Sequence, residues 1–173
     1  METKETEIVT DVLVPEREFT AEYTVSNPAK ILGVMLEMMK KVWRVSSSKV
    51  YADKIKWDVT GEKIDFYGEW RNRDVKDTRT VIWTRVIAQG VQDPKTKEGT
   101  ITIKVKSMMK TKMEYVTPFD QAIRHMYMNS FYKTQLQQYV QIAKKRINDF
   151  DDDVRIFYGM EERAAGSLPG SRM

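Results

Sequence analysis

The sequence contains no cysteine. That excludes disulfides, thiolate nucleophiles, Cys-ligated zinc and iron–sulfur clusters together. It contains one histidine, His125, so no multi-histidine metal site can be assembled from it. No apolar run approaches the roughly 20 residues of a membrane-spanning helix. None stands at the N-terminus where a secretory leader would, so a cytoplasmic setting is expected. The Gly-rich phosphate loop, the G-x-S-x-G nucleophile elbow and the H-E-x-x-H zinc helix are all missing. Asp149, Asp151, Asp152 and Asp153 lack the spacing and the glycine of a calcium loop. With no catalytic constellation in view, a binding protein is expected rather than an enzyme, with no cofactor, no metal and no catalytic residue assigned.

What the chain does contain is charge and aromatic side chains. Of 173 residues, 31% are charged and 41% hydrophobic, and 4 Trp, 8 Tyr and 6 Phe argue against wholesale disorder. The length suits one domain. The net charge of +4 is unevenly spread: residues 1–24 hold seven acids against Lys4 and Arg17, a local balance of −5, which leaves +9 for the remainder. Such asymmetry is expected either of solvated outer faces or of a surface for an anionic partner.

Periodicity orders the elements. Glu7 to Val14 is β-branched and stops at Pro15, which suits an edge strand or extended arm. From Glu18 to Val25 the apolar residues Phe19, Ala21, Tyr23 and Val25 alternate with polar ones, predicting a half-buried strand. Asn27-Pro28 then predicts a helix start, with the Asn27 side chain as cap and a helix to about Val45. Alternation returns at Ile55, Trp57 and Val59, continues after Gly61 through Ile64, Phe66, Gly68 and Trp70, and gives way to a polar loop over Asn72 to Asp77. Thr78 to Gln89 is apolar at both parities and is expected to be a central or doubly covered strand. Thr100 to Val116 is long for one strand, so a bulge is expected near Ser107 to Met109. Thr117-Pro118-Phe119-Asp120 is a strong helix start. The helix is expected to run to about Asn148, burying Phe119, Ile123, Met126, Tyr127, Phe131, Val140, Ala143 and Ile147, and to end at the acidic Asp149 to Asp153.

The predicted class is α+β, a curved antiparallel sheet gripping a long C-terminal helix. Three parts are expected: an acidic arm or edge strand over 1–17, the main domain over 18–150, and a tail over 151–173. From Phe19-Thr20-Ala21-Glu22-Tyr23-Thr24-Val25-Ser26-Asn27-Pro28-Ala29 into the first helix, and in element order over residues 18–150, the chain resembles the START-like superfamily, also called SRPBCC or Bet v 1-like, the helix-grip proteins. That resemblance implies an apolar cavity between sheet and helix that takes a lipid or other hydrophobic small molecule. Here the cavity would be walled by Trp57, Phe66, Trp70 and Trp83 from the sheet, Met109 and Met113 from the last strand, and Met126 and Tyr127 from the helix. Arg85 shares parity with Trp83 and would meet an anionic head group if that face points inward, or lie exposed if it points outward. The same Met and aromatic positions also suit a filled core.

Two other readings stay open. Lys104, Lys106, Lys110 and Lys112 form a stripe on one strand face, bordered by Tyr67 and Arg71, that could hold RNA or a ribonucleoprotein. Alternatively the acidic N-terminal arm could pair with the basic strand of a neighbouring copy, making an oligomer or adaptor.

Overall fold

The computed structural model describes residues 4–160. The chain forms β1 (Lys4–Asp11), β2 (Phe19–Ser26), α1 (Ile31–Trp43), β3 (Val50–Asp58), β4 (Ile64–Val75), β5 (Thr80–Gln92), β6 (Glu98–Tyr115), α2 (Pro118–Tyr127) and α3 (Lys133–Phe157). A 3-10 turn over Pro28–Lys30 leads into α1, and a π-helical turn over Met128–Tyr132 joins α2 to α3. All strand pairings are antiparallel, in the order β1-β6-β5-β4-β3, with β2 also paired to β6. The expected α+β architecture, an antiparallel sheet with a long C-terminal helix, is what forms. No helix among the described residues is long and apolar enough to cross a membrane.

One sheet face is covered. Phe66 and Trp70 on β4, Val86 and Ala88 on β5, Ile101, Ile103 and Val105 on β6, and Phe19, Ala21 and Tyr23 on β2 form one buried cluster. Ile31, Met35, Met39 and Trp43 of α1 and Ile147, Phe150 and Val154 of α3 complete it. The Trp43 and Phe150 rings lie 5.2 Å apart where the two helices meet. A second cluster joins Val12, Ile82, Met109 and Ala143 under the middle of α3. Gly68 is needed for this packing. A Cβ there would stand 2.0 Å from the Trp70 ring and 2.8 Å from Leu32 of α1, so the indole lies folded across the glycine.

Several local expectations are corrected. Asn27 makes no side-chain cap; it takes a left-handed conformation, φ 53°, to turn the chain from β2 into the 3-10 turn. Residues 72–75 belong to β4 rather than to a loop, because Asn72 to Val75 stay paired with β5 and Asp74 is held by Arg146 and by Lys76 at 2.6 Å. β6 has no bulge at 107–109. It pairs with β5 in unbroken register from Gly99 to Thr111, and what changes along it is the other neighbour: β2 ends opposite Val105 and β1 begins opposite Met108. The sheet's register shift lies instead between Ala52 and Lys54 on edge strand β3. The last helix does not stop at Asn148. Asp151 accepts a hydrogen bond from Tyr23 and Asp153 pairs with Lys41 at 2.8 Å, so these acids are anchored by tertiary partners and the helix runs on to Phe157. Of the tail expected over 151–173, residues 161–173 lie outside the described residues.

Candidate hydrophobic-ligand site

The residues nominated as a cavity wall fall in four places. Phe66, Trp70, Met109 and Met113 are buried on the covered face. Trp57 is on that same face, cross-strand from Phe66, but is 51% exposed. Trp83 and Arg85 have the opposite parity and point away from the helices, so the inward alternative for Arg85 is not the one realised. Met126 and Tyr127 are exposed on α2. These nine side chains therefore do not converge on one interior space.

Trp57 stands in an open corner. α1 reaches the β4 strand at Gly68 through Leu32. Beyond Gly68, Phe66 of β4 is still buried, but the stretch of β3 paired with it is not covered. Ile55 is cross-strand from Gly68 and Trp57 from Phe66, so both point to the covered face. Yet Ile55, Trp57 and the following Val59 are 55%, 51% and 61% exposed. A depression of about 570 Å³ lies here, lined by Ile55, Lys56, Trp57, Asp58, Asp65, Phe66 and Tyr67. Among the described residues, β3 is a sheet edge, hydrogen-bonded to β4 on one side only. The corner thus combines apolar side chains with a strand edge.

The outer face is ionic. Arg71, Arg85 and Lys106 are direct cross-strand neighbours on β4, β5 and β6. Such like charges in one row repel unless neutralised, and carboxylates stand beside them. Arg85 meets Glu69 at 2.6 Å, Arg71 donates to Asp53 at 2.8 Å, and Lys106 lies 3.3 Å from Glu18. The Arg85 guanidinium, helped by the Tyr67 hydroxyl at 2.7 Å, holds the Glu69 carboxyl below its usual range, and the pair raises Arg85. A depression of about 390 Å³ around Trp83 is bordered by Arg71, Arg85, Lys106, Met108 and Lys110. The lysine stripe does share one face, but Lys104 lies 4.0 Å from Glu18, Lys110 is 2.9 Å from Glu7, and Lys112 is 2.7 Å from Glu5, whose hydrogen bond raises the Lys112 pKa. The acidic arm thus lies, as β1, along the basic strand of its own chain.

Two features escaped sequence reasoning. Asp77, in the β4–β5 turn, accepts from the hydroxyls of Tyr132 and Tyr139 and from the amides of Arg79 and Thr80. Burial works against its carboxylate, but the four hydrogen bonds together outweigh burial and keep the pKa low. Burial and Asp77 push the Tyr132 phenol up to about 12. This node fixes the start of α3 to the sheet end; no motif announces it, because its members are 55 and 62 residues apart. The second feature is α2, none of whose residues is buried. The expected burial of Phe119, Ile123, Met126, Tyr127 and Phe131 does not occur, because β5 begins at Thr80, opposite Thr111, and the helix precedes the Tyr132–Thr80 contact where α3 meets the sheet end.

No protein family matches the sequence, and no curated protein does. Among solved structures, the chain is similar to SA2116, a protein of unknown function from Staphylococcus aureus, at 11% identity, with 89% of this chain and 98% of that chain covered and a TM-score of 0.30. It is also similar to the SecB-like chaperone Rv1957 of Mycobacterium tuberculosis, solved with a ChAD peptide from the Rv1956 HigA1 antitoxin, at 10% identity, 77% and 99% coverage and a TM-score of 0.26. These likenesses do not assign the chain to a family.

Proposed function

We propose that this is a binding protein for hydrophobic ligands whose site is the open corner of β3 and β4, and that its ligand is an extended apolar polypeptide segment. One observation carries the reading: Ile55 and Trp57 stand more than half exposed on edge strand β3, with exposed Val59 just past its end. An unpaired edge offers main-chain donors and acceptors to another extended chain, and side chains at alternate positions supply the specificity. A segment added to β3 between Lys54 and Asp58 would lay every second side chain against Ile55 and Trp57. The register shift between Ala52 and Lys54 ends the regular edge on the other side.

The START-like resemblance implies a lipid or small apolar molecule instead; a cytoplasmic setting is part of either reading. The corner supports that second reading through the apolar side chains Ile55, Trp57 and Phe66 that line it. One titration separates the two. A fluorescent peptide of alternating Val and Ser is compared with a fluorescent fatty acid, on the native chain and on Trp57→Ala. The peptide reading expects peptide affinity that drops about tenfold on loss of the indole, the scale of burying one aromatic contact. Binding of the fatty acid alone would replace it with the lipid reading. Peptide affinity indifferent to Trp57→Ala would refute the proposed corner.

A further inference from the structure

The three most exposed large apolar side chains among the described residues are Phe119, Phe131 and Met126, at 75%, 73% and 65%. All three stand on α2 or the turn that follows it. Ile123 and Tyr127 add 47% and 48% exposure. Positions 119, 123, 126 and 127 share one helix face, and the Tyr127 and Phe131 rings stack at 5.8 Å, which extends the stripe by another turn. The polar side of α2 is ordinary: the Thr117 hydroxyl caps it, and Asp120 pairs with Arg124 at 2.8 Å. α2 runs on through the π-helical turn into α3, but none of its own residues is buried. Its apolar stripe is the face that a partner would have to cover.

We infer that this stripe is the contact between two copies of the chain, paired antiparallel about a two-fold axis that passes near Ile123 and Met126. Two observations select a second copy. The stripe is self-complementary under a two-fold, because Phe119 and Phe131 lie at its ends with Ile123, Met126 and Tyr127 between them. Its five side chains expose roughly 600 Å² of apolar surface per copy, most of the ~800 Å² that each partner gives to a standard interface. The stripe is convex rather than grooved, so it suits a flat helix face better than an extended peptide. The β3 corner lies three strands away from β6, to which α2 is joined, so the two surfaces can be tested apart.

Sedimentation velocity of the full chain over a concentration series tests the contact. The expected result is a mass twice that of the chain, reduced to one chain by the combined Phe119→Ser, Met126→Ser and Phe131→Ser changes with the thermal transition of the sheet domain retained. A native chain that stays monomeric throughout, or a dimer that persists in the triple variant, would overturn the inference. Because the chain has no cysteine, Ile123→Cys gives an independent readout. Mild oxidation should yield a disulfide-linked dimer in high yield, and failure to cross-link places the axis elsewhere and refutes the geometry.

Discussion

α2 and α3 are two parts of one helical run, Pro118 to Phe157, interrupted only by a π-helical turn, and both are amphipathic. α3 buries Ala143, Ile147, Phe150 and Val154; α2 buries nothing. The difference comes from what lies beneath. α3 crosses the covered sheet face and closes against α1, whereas α2 precedes the point where Tyr132 reaches Thr80 at the sheet end. The β3 corner repeats the contrast within the sheet. Phe66 is buried, and its cross-strand neighbour Trp57 is not. An apolar stripe therefore records a need for cover, while the lengths of neighbouring elements decide whether the chain supplies it. Where it does, the stripe is core. Where it does not, we assign it to binding.

That contrast can be broken by substitution. Phe150→Ala, which removes the ring wedged against Trp43, should cost about 3–5 kcal/mol in chemical denaturation, as ring removal from a core does. A loss below about 1 kcal/mol would mean that α3 is not seated as described. Asp77→Ala should come next, at about 1–3 kcal/mol, because it leaves the Tyr132 and Tyr139 hydroxyls and two amides without their acceptor. The Asp77 effect also has a pH signature. Its pKa is lower folded than unfolded, so its stabilisation is complete above the ordinary carboxylate range and fades as pH falls through the lowered folded value. The gap between native and Asp77→Asn proteins should narrow in acid, and a gap that widens there would contradict the assignment. Trp57→Ala should change stability by less than about 1 kcal/mol, the surface scale, while removing peptide affinity. Phe119→Ser should be smallest of all on the isolated domain, within about 0.5 kcal/mol, and should be felt only in association.

Much of the fold was legible. The alternation from Phe19 and from Ile64, the Thr117–Pro118–Asp120 start and the C-terminal helix all stand where local pattern put them, because period and capping are short-range properties. The faces of β5 were not legible. Ile82 and Trp83 are equally apolar, and only the docking of α1 and α3 decides that Ile82 goes inward while Trp83 and Arg85 go outward. The end of the last helix was illegible for a related reason. Asp151 and Asp153 look like helix terminators until Tyr23, 128 residues away, and Lys41, 112 residues away, are brought to them. Of the candidate site, Trp57 and Phe66 are nominated from sequence and stand as cross-strand neighbours. Ile55 was recognised only as part of a strand, since periodicity cannot show which stretch of a sheet lacks a helix above it.

The most direct test of the central claim is amide hydrogen exchange along β3 with and without a bound alternating apolar peptide. The β3 edge predicts slowed exchange at those amides of Lys54 to Asp58 that point away from β4, with the β4–β5 ladder unchanged. Peptide binding that leaves these amides at their free rates, or protects α2 in their place, would contradict it.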